Sequence, residues 1–528
     1  MAGAVRNILF IMCDQLRWDY LSCYGHPSLQ TPNLDWLATR SVRFDSSYVQ
    51  SPVCGPSRAS FYTGRTVFSH GSTWNRVPLP VGELTVGDYL RPHGIRTAVV
   101  GKTHLFPDVD GMMRLGVDRD SEIGICIAEP GFDPYERDDG IHPSKMVRRS
   151  NRTLRYNDWL RELGYVSENP WDEYANSAEG ADGTILSGWE LRNSNLPARV
   201  KEEHSETAYM TDRGIEFITE MGSQPWFLHL SFIKPHWPYM APAPYHAMYG
   251  PTSFVAAQRS DQEREHAHPV YRAFQMHDVS LTLSDDFARE TVLRGYMGLV
   301  KQIDDHMGRL FRFLKAQGRF RDTMIVFTSD HGDYLGDHWL GEKELFHEQA
   351  VRIPLIIYDP SPESDATRNT AEPRFVEAID LLPTFLEAIA GTVDSSRLEG
   401  QSLLPLIRGR TPPAWRDAVF SEIDYSFYPA RETLSVAPSQ ARGYMLRTNQ
   451  WKYVEFKGYR PQLFDLENDP HEFIDIGDVP EFEPARREMR DRLLTRLLDR
   501  RNRVTLTDQQ VIERAAQERV NGIVIGQW

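Results

Sequence analysis

The sequence predicts an α/β fold, and three observations carry that prediction. Apolar runs recur along the chain: RNILFIMCDQ (6–15), RTAVVGKTHL (96–105), PWFLHLSFIKPHWPY (225–239), TMIVFTSDHG (323–332) and RIPLIIYDP (352–360). Continuous runs of this kind are how strands buried on both faces read. Segments with helical spacing lie between them, and most of the runs end in polar residues, as strands do when they deliver side chains to a site.

In chain order, Asp14 closes the first run. On its own it reads as a turn or cap residue; after a buried strand it reads as a delivered carboxylate. Gln15 follows it. TPNLDWLATRSVRF (31–44) reads as a short helix opening near Pro32. SPVCGPSRASFYTGR (51–65) is the stretch around which the chain is organised. Ser57 reads as an N-cap, placing Cys54 beside the positive end of a helix, with Arg58 as a fixed cation suited to an oxyanion. Cys54 itself has two readings, a buried structural thiol or a catalytic nucleophile. Asn75 and Arg76 lie on the loop beyond, within reach of a substrate. Lys102 and His104 follow the second run two residues apart, so on extended chain they face the same way.

The stretch 106–205 is irregular and reads as loops and short helices over the strand ends. The third run leads to Lys234 and His236, with Pro235 and Pro238 stopping the ladder. Ser284 to Gly318 reads as a long amphipathic helix whose stripe includes Leu293, Tyr296, Val300, Ile303 and Met307. The fourth run ends at Asp330-His331-Gly332. Asp14, Asp330 and His331 together supply two carboxylates and an imidazole, a donor set for a hard divalent ion. Asp333, Asp337, His338 and His347 read as loop structure or support. Residues 380–390 read as a helix, WKYVEF (451–456) and LFDLENDPHE (463–472) as a small sheet, and 483–502 as a solvated charged helix. The tail from Val511 ends on an apolar strand-like run, which predicts an oligomer contact.

At 528 residues the chain holds one large domain or two ordinary ones, and 41% hydrophobic with 25% charged residues is globular composition. A net charge of −15 argues against a nucleic-acid binder and requires local cations to attract any anionic substrate. The apolar runs are too short to span a bilayer, and no secretion signal is visible, so a cytoplasmic location is expected. The four cysteines show no paired metal-ligand spacing and are expected to be thiols.

Cys-x-Pro-Ser-Arg at 54–58, followed by Thr63-Gly64-Arg65, resembles the type I sulfatase signature. Asp14, Arg58, Lys102, His104, His236, Asp330, His331 and Lys343 occur in that family's order. The resemblance implies an alkaline-phosphatase-like sandwich: a mixed central sheet between helices, with a smaller C-terminal antiparallel sheet. It divides the chain into a catalytic domain (1–405) and a C-terminal subdomain (406–528) bearing that sheet, a helix and an oligomerisation tail.

It further implies that Cys54 is oxidised to formylglycine by a formylglycine-generating enzyme, the hydrated aldehyde supplying the attacking hydroxyl. One divalent ion, Ca2+ or Mn2+, would be held by Asp14, Gln15, residue 54, Asp330 and His331. Lys102 and Lys343 would hold the sulfate, His104 would act as base in the second half-reaction, and His236 would protonate the leaving alcohol, with Asn75 touching substrate. Gln15 departs from the pattern: many sulfatases carry an aspartate there, and an amide oxygen ligates without charge. The expected activity is arylsulfatase-like hydrolysis of a small-molecule sulfate ester by a dimer or tetramer, with no nucleic acid or membrane as partner. Gln15, Asp330-His331, the Asn75 region and the tail also resemble phosphonate monoester hydrolases, which makes phosphonate or phosphodiester hydrolysis the alternative; Lys102 and His104 favour sulfate. A non-catalytic sulfate-ester binder with unconverted Cys54 is the remaining reading.

Overall fold

The apolar runs form the centre of a nine-stranded sheet. In the computed structural model, which describes residues 5–140, 154–390, 396–515 and 520–522, the strands in chain order are β1 (Asn7–Asp14), β2 (Val42–Tyr48), β3 (Arg96–Gly101), β4 (Asp133–Arg137), the hairpin β5 (Ser177–Glu179) and β6 (Ile185–Ser187), β7 (Trp226–Pro235), β8 (Thr323–Ser329), β9 (Arg352–Tyr358), β10 (Thr370–Glu372), β11 (Val376–Glu377), β12 (Ala418–Asp424), β13 (Arg442–Thr448), β14 (Trp451–Phe456) and β15 (Gln462–Asp465). The large sheet runs β10-β2-β9-β8-β1-β7-β3-β4, with β11 also on β2. β9 runs against β2 and β8, and the other pairings are parallel, so the sheet is mixed.

Alternation along β1 divides the interior into two layers. Ile8, Phe10 and Met12 point into one core, shared with Phe61 and Tyr62 of the Cys54 helix and with Phe385 of the helix Leu381–Ala390. Leu9, Ile11 and Cys13 point into the other, shared with the long helix Asp286–Ala316 and the helix Glu206–Met221. The predicted stripe of the long helix is buried, and Asp285 caps it by accepting the Ala288 amide.

A separate antiparallel sheet, β12-β13-β14-β15, follows. One face (Val419, Met445, Val454) joins the first core, and the other (Phe420, Leu446, Tyr453) packs on Met489 and Leu493 of the helix Glu483–Leu498. The irregular stretch contains short helices, as expected, together with β4 at the sheet edge. The residues 31–44 hold a helix only over Pro32–Ala38, after which β2 begins. The apolar end of the tail, 523–528, lies outside the described residues; the described stretch before it contains a helix, Asp508–Arg514. No helix among the described residues is long and apolar enough to cross a membrane.

Candidate active site

Four neighbouring parallel strands, β8, β1, β7 and β3, end side by side, and their C-terminal ends deliver Asp330 and His331, Asp14, His236, and Lys102. Residues 54 and 58 come from the helix Cys54–Thr63, which packs against these ends. The helix opens earlier than a Ser57 cap requires. Cys54 is its first residue, and Pro56 is tolerated in the first turn because its missing N–H would have had no helical partner. Val53 caps it without a side-chain bond. Asn75 instead reaches across to accept the Gly55 amide on Oδ1 at 2.7 Å, and Ser57 Oγ donates to the Asp330 carbonyl at 2.6 Å.

The guanidinium of Arg58, fully buried, organises the centre. Nε donates to Asp330 Oδ2 at 2.7 Å, Nη2 to Asp14 Oδ2 at 3.2 Å, and Nη1 to the Lys102 carbonyl and Ser231 Oγ, both at 2.8 Å. Lys102 Nζ lies 2.5 Å from Asp14 Oδ2. Burial opposes ionisation of Asp14, yet Lys102, His236 and Arg58 hold its carboxyl well below the usual range. Arg58 is therefore engaged with carboxylates, where the sequence suggested an oxyanion.

With their Oδ2 atoms occupied in this way, both carboxylates present Oδ1 to His331. Asp14 Oδ1 and Asp330 Oδ1 each lie 3.6 Å from His331 Nε2, and Cys54 Sγ lies 3.0 Å from the same nitrogen and 3.8 Å from Asp14 Oδ1. His331 Nδ1 sits 2.8 Å from the Gly332 carbonyl, which accepts its proton and leaves Nε2 as the lone-pair atom. Burial lowers the His331 pKa, favouring the neutral imidazole. Asp14, Cys54, Asp330 and His331 are buried, with ligand atoms within 4.8 Å of one another. Two convergent carboxylate oxygens and a neutral imidazole fit a divalent cation.

Burial, aided by Asp14, pushes the Cys54 thiol up to about 12, so an unassisted thiolate is not on offer at neutral pH. An oxygen nucleophile made at this position would face the same donors.

Gln15 adopts a positive φ of 65° and is held from every side. Its Nε2 donates to Asp333 Oδ2 and Tyr239 Oη, its carbonyl accepts from Tyr296 Oη at 2.9 Å, and its Oε1 accepts from Lys343 Nζ at 2.7 Å. Lys343 Nζ is also 3.2 Å from His236 Nε2, whose Nδ1 donates to the Trp237 carbonyl at 2.7 Å. Burial and Lys343 push His236 well below its ordinary pKa. Asp333 thus supports Gln15, in keeping with the supporting role read from sequence.

Lys102 and His104 do not sit on extended chain. β3 ends at Gly101, whose φ of +106° turns the backbone, and a Cβ there would lie 1.9 Å from the Ser231 carbonyl oxygen. His104 has a φ of +54°, so strand alternation no longer sets the direction of either side chain. The His104 carbonyl and Asn75 both approach Gly55, beside Cys54. Arg76 is exposed. None of the four cysteines is in a disulfide. Sequence reasoning missed Ser231, Tyr239 and Tyr296. The available signal for Ser231 was a hydroxyl inside an otherwise apolar strand.

A second group, Glu263, His338 and His347, also places its ligand atoms within 4.8 Å. The two rings stack 3.7 Å apart at 8°, and parallel rings cannot both aim in-plane lone pairs at one ion. Glu263 Oε1 takes His338 Nδ1 at 2.5 Å, making this an ion-paired stack.

The sulfatase family profile matches residues 6–392, and that of the N-sulphoglucosamine sulphohydrolase C-terminal region matches 336–499. The chain is 30% identical to the multifunctional alkaline phosphatase superfamily protein PehA of Trinickia caryophylli, over 95% of this chain and 97% of the relative. It is 27% identical to an arylsulfatase of Clostridium perfringens, over 90% and 91%. Among solved structures, the phosphonate monoester hydrolase SpPMH from Silicibacter pomeroyi superposes with a TM-score of 0.82 at 28% identity, over 96% of this chain and 98% of that one. With the family profile covering most of the chain and the fold in agreement, the chain belongs to the sulfatase family and is a hydrolase of the alkaline phosphatase superfamily.

Proposed function

We propose that this enzyme hydrolyses sulfate monoesters of small alcohols or phenols, using formylglycine formed from Cys54 and one divalent metal ion. The observation that supports this reading is the convergence of Cys54 Sγ, Asp14 Oδ1, Asp330 Oδ1 and His331 Nε2, with Lys102 and Lys343 on its flanks. When present, the metal and the hydrated aldehyde supply charge neutralisation and an attacking hydroxyl. Asp14, Asp330 and His331 would hold the ion, with Gln15 Oε1, the amide oxygen that accepts from Lys343 Nζ, as a neutral fourth donor. Calcium and manganese both suit this set.

The chain's own groups account for the remaining chemistry. Lys102 and Lys343 bring positive charge to the sulfate oxygens within an acidic protein, and Arg58 keeps the two carboxylates oriented. His236 Nε2 is the atom that passes a proton to the leaving oxygen; Lys343 is its nearest proton donor at 3.2 Å. His104 takes a proton in the second half-reaction, and Asn75, at the N-terminus of the nucleophile helix, touches substrate.

Phosphonate monoester hydrolysis is the second reading, favoured by the amide at Gln15 and by the likeness to phosphonate monoester hydrolases. Metal-loaded enzyme is to be assayed on an aryl sulfate and a phenyl phosphonate. The expected result is a higher kcat/KM for the sulfate; a much higher value for the phosphonate overturns the choice. Unconverted Cys54 in active-site digests, with no turnover of either ester, would leave the non-catalytic binder.

A further inference from the structure

The turn that carries Lys102 and His104 is held by a device drawn from the stretch in which the sequence showed no motif. Gly101 ends β3 in a left-handed conformation, and His104 adopts φ +54°, a region that non-glycine residues disfavour. Something must hold the chain there. Lys102 N donates to the Ser231 carbonyl at 3.0 Å. The next two amides, Thr103 N and His104 N, both donate to a single carboxylate oxygen, Asp139 Oδ1, at 3.1 and 3.0 Å.

Asp139 is itself fixed. Arg137, the last residue of the edge strand β4, donates from Nη2 to Asp139 Oδ2 at 2.8 Å and to Thr103 Oγ1 at 2.8 Å, and from Nη1 to the Gly101 carbonyl. Glu129 pairs with Arg137 at 2.5 Å from the other side. The guanidinium and the carboxylate thus grip the Gly101–His104 turn at its carbonyl, its hydroxyl and two of its amides. Charge-assisted bonds of this kind give both direction and strength.

We propose that Asp139, locked by Arg137, is a positioning residue that sets where Lys102 and His104 stand relative to Cys54. It acts through the backbone of the turn, by accepting the Thr103 and His104 amides. This inference rests on the proposed function only for its kinetic consequence; the structural consequence stands by itself.

Native-state amide hydrogen exchange on the full-length protein reads the device directly. Asp139→Ala is expected to accelerate exchange at Thr103 and His104, with the rest of β3 protected. Asp139→Asn, whose Oδ1 still accepts two amides, is expected to restore most of the protection. In turnover, Asp139→Ala should lower kcat by about ten- to a hundredfold with KM changed less, and Asp139→Asn should recover most of kcat. Unchanged exchange in Asp139→Ala, or an Asp139→Asn variant as impaired as the alanine, overturns the proposal. If Asp139→Ala does not fold, Arg137→Met carries the test: faster exchange at the same two amides supports the device, and unchanged exchange overturns it. Wild-type enzyme inactive on sulfate and phosphonate esters would overturn the proposed function and leave the exchange result standing.

Discussion

Replacing Arg58 by methionine removes the charge at the centre of the site while keeping an unbranched side chain in the space. In the wild type, Arg58 bridges Asp330 at 2.7 Å and Asp14 at 3.2 Å, all three groups being shielded from solvent. Asp14 retains Lys102, so the loss falls chiefly on Asp330. Removing one partner of a buried ion pair costs about 3–5 kcal/mol, because the remaining charge stays uncompensated. In chelator-treated protein, Arg58→Met should therefore be destabilised by about 3–5 kcal/mol in denaturant unfolding. A divalent ion held by Asp14 and Asp330 would supply the missing positive charge, and a ligand that binds only the folded state stabilises it. Added Ca2+ or Mn2+ should consequently stabilise the variant more than the wild type. A chelated variant within about 1 kcal/mol of wild type would refute the charge argument. Equal stabilisation of the two proteins by metal would refute the placing of the ion at these carboxylates.

Two further outcomes follow from the same structure. Glu422 is buried and accepts the Phe68 amide; burial, reinforced by Glu399, raises its pKa to about 7 from 4.5. Its protonated form is the one the fold favours, so stability is lost as pH rises from about 4.5 to 7 and stays lost above, by about 3 kcal/mol. Glu422→Gln, which keeps the accepting oxygen, should be more stable than wild type at pH 8 and near it at pH 4.5, as measured by denaturant unfolding at the two pH values. His236→Ala should lose about 10²- to 10⁴-fold in kcat on an alkyl sulfate, and far less on a nitrophenyl sulfate whose phenolate leaves without a proton; equal losses on the two esters would remove His236 from the proton transfer.

What the sequence disclosed follows the physics of burial. β1, β7 and β8 are covered on both faces, so each carries a continuous apolar stretch (ILFIM, WFL, MIVF) and the polar residues at its end stand out. β2 alternates between buried and half-buried positions in VRFDSSY, while β4, DPYER, lies at an edge and is largely polar; neither leaves an apolar run to read. β12 and β13, AVFSEID and RGYMLRT, are hidden by their interspersed polar residues.

The site was legible as a family resemblance more than as geometry. Nothing local in the chain tells that Arg58 pairs with Asp330, 272 residues later, or that Asn75 rather than Ser57 serves the helix terminus. The common direction expected of Lys102 and His104 assumed extended chain, which the left-handed Gly101 interrupts. Asp139 and Arg137 carry no motif at all, because a clamp on backbone amides needs only a carboxylate in the right place.

The central claim concerns the chemical identity of residue 54. Mass spectrometry of the tryptic peptide spanning Phe44 to Arg58, taken from enzyme co-expressed with a formylglycine-generating enzyme and active on an aryl sulfate, tests it most directly. The account predicts an aldehyde at position 54, in a fraction that scales with specific activity across preparations. Full activity in preparations whose peptide carries only the cysteine thiol would contradict it.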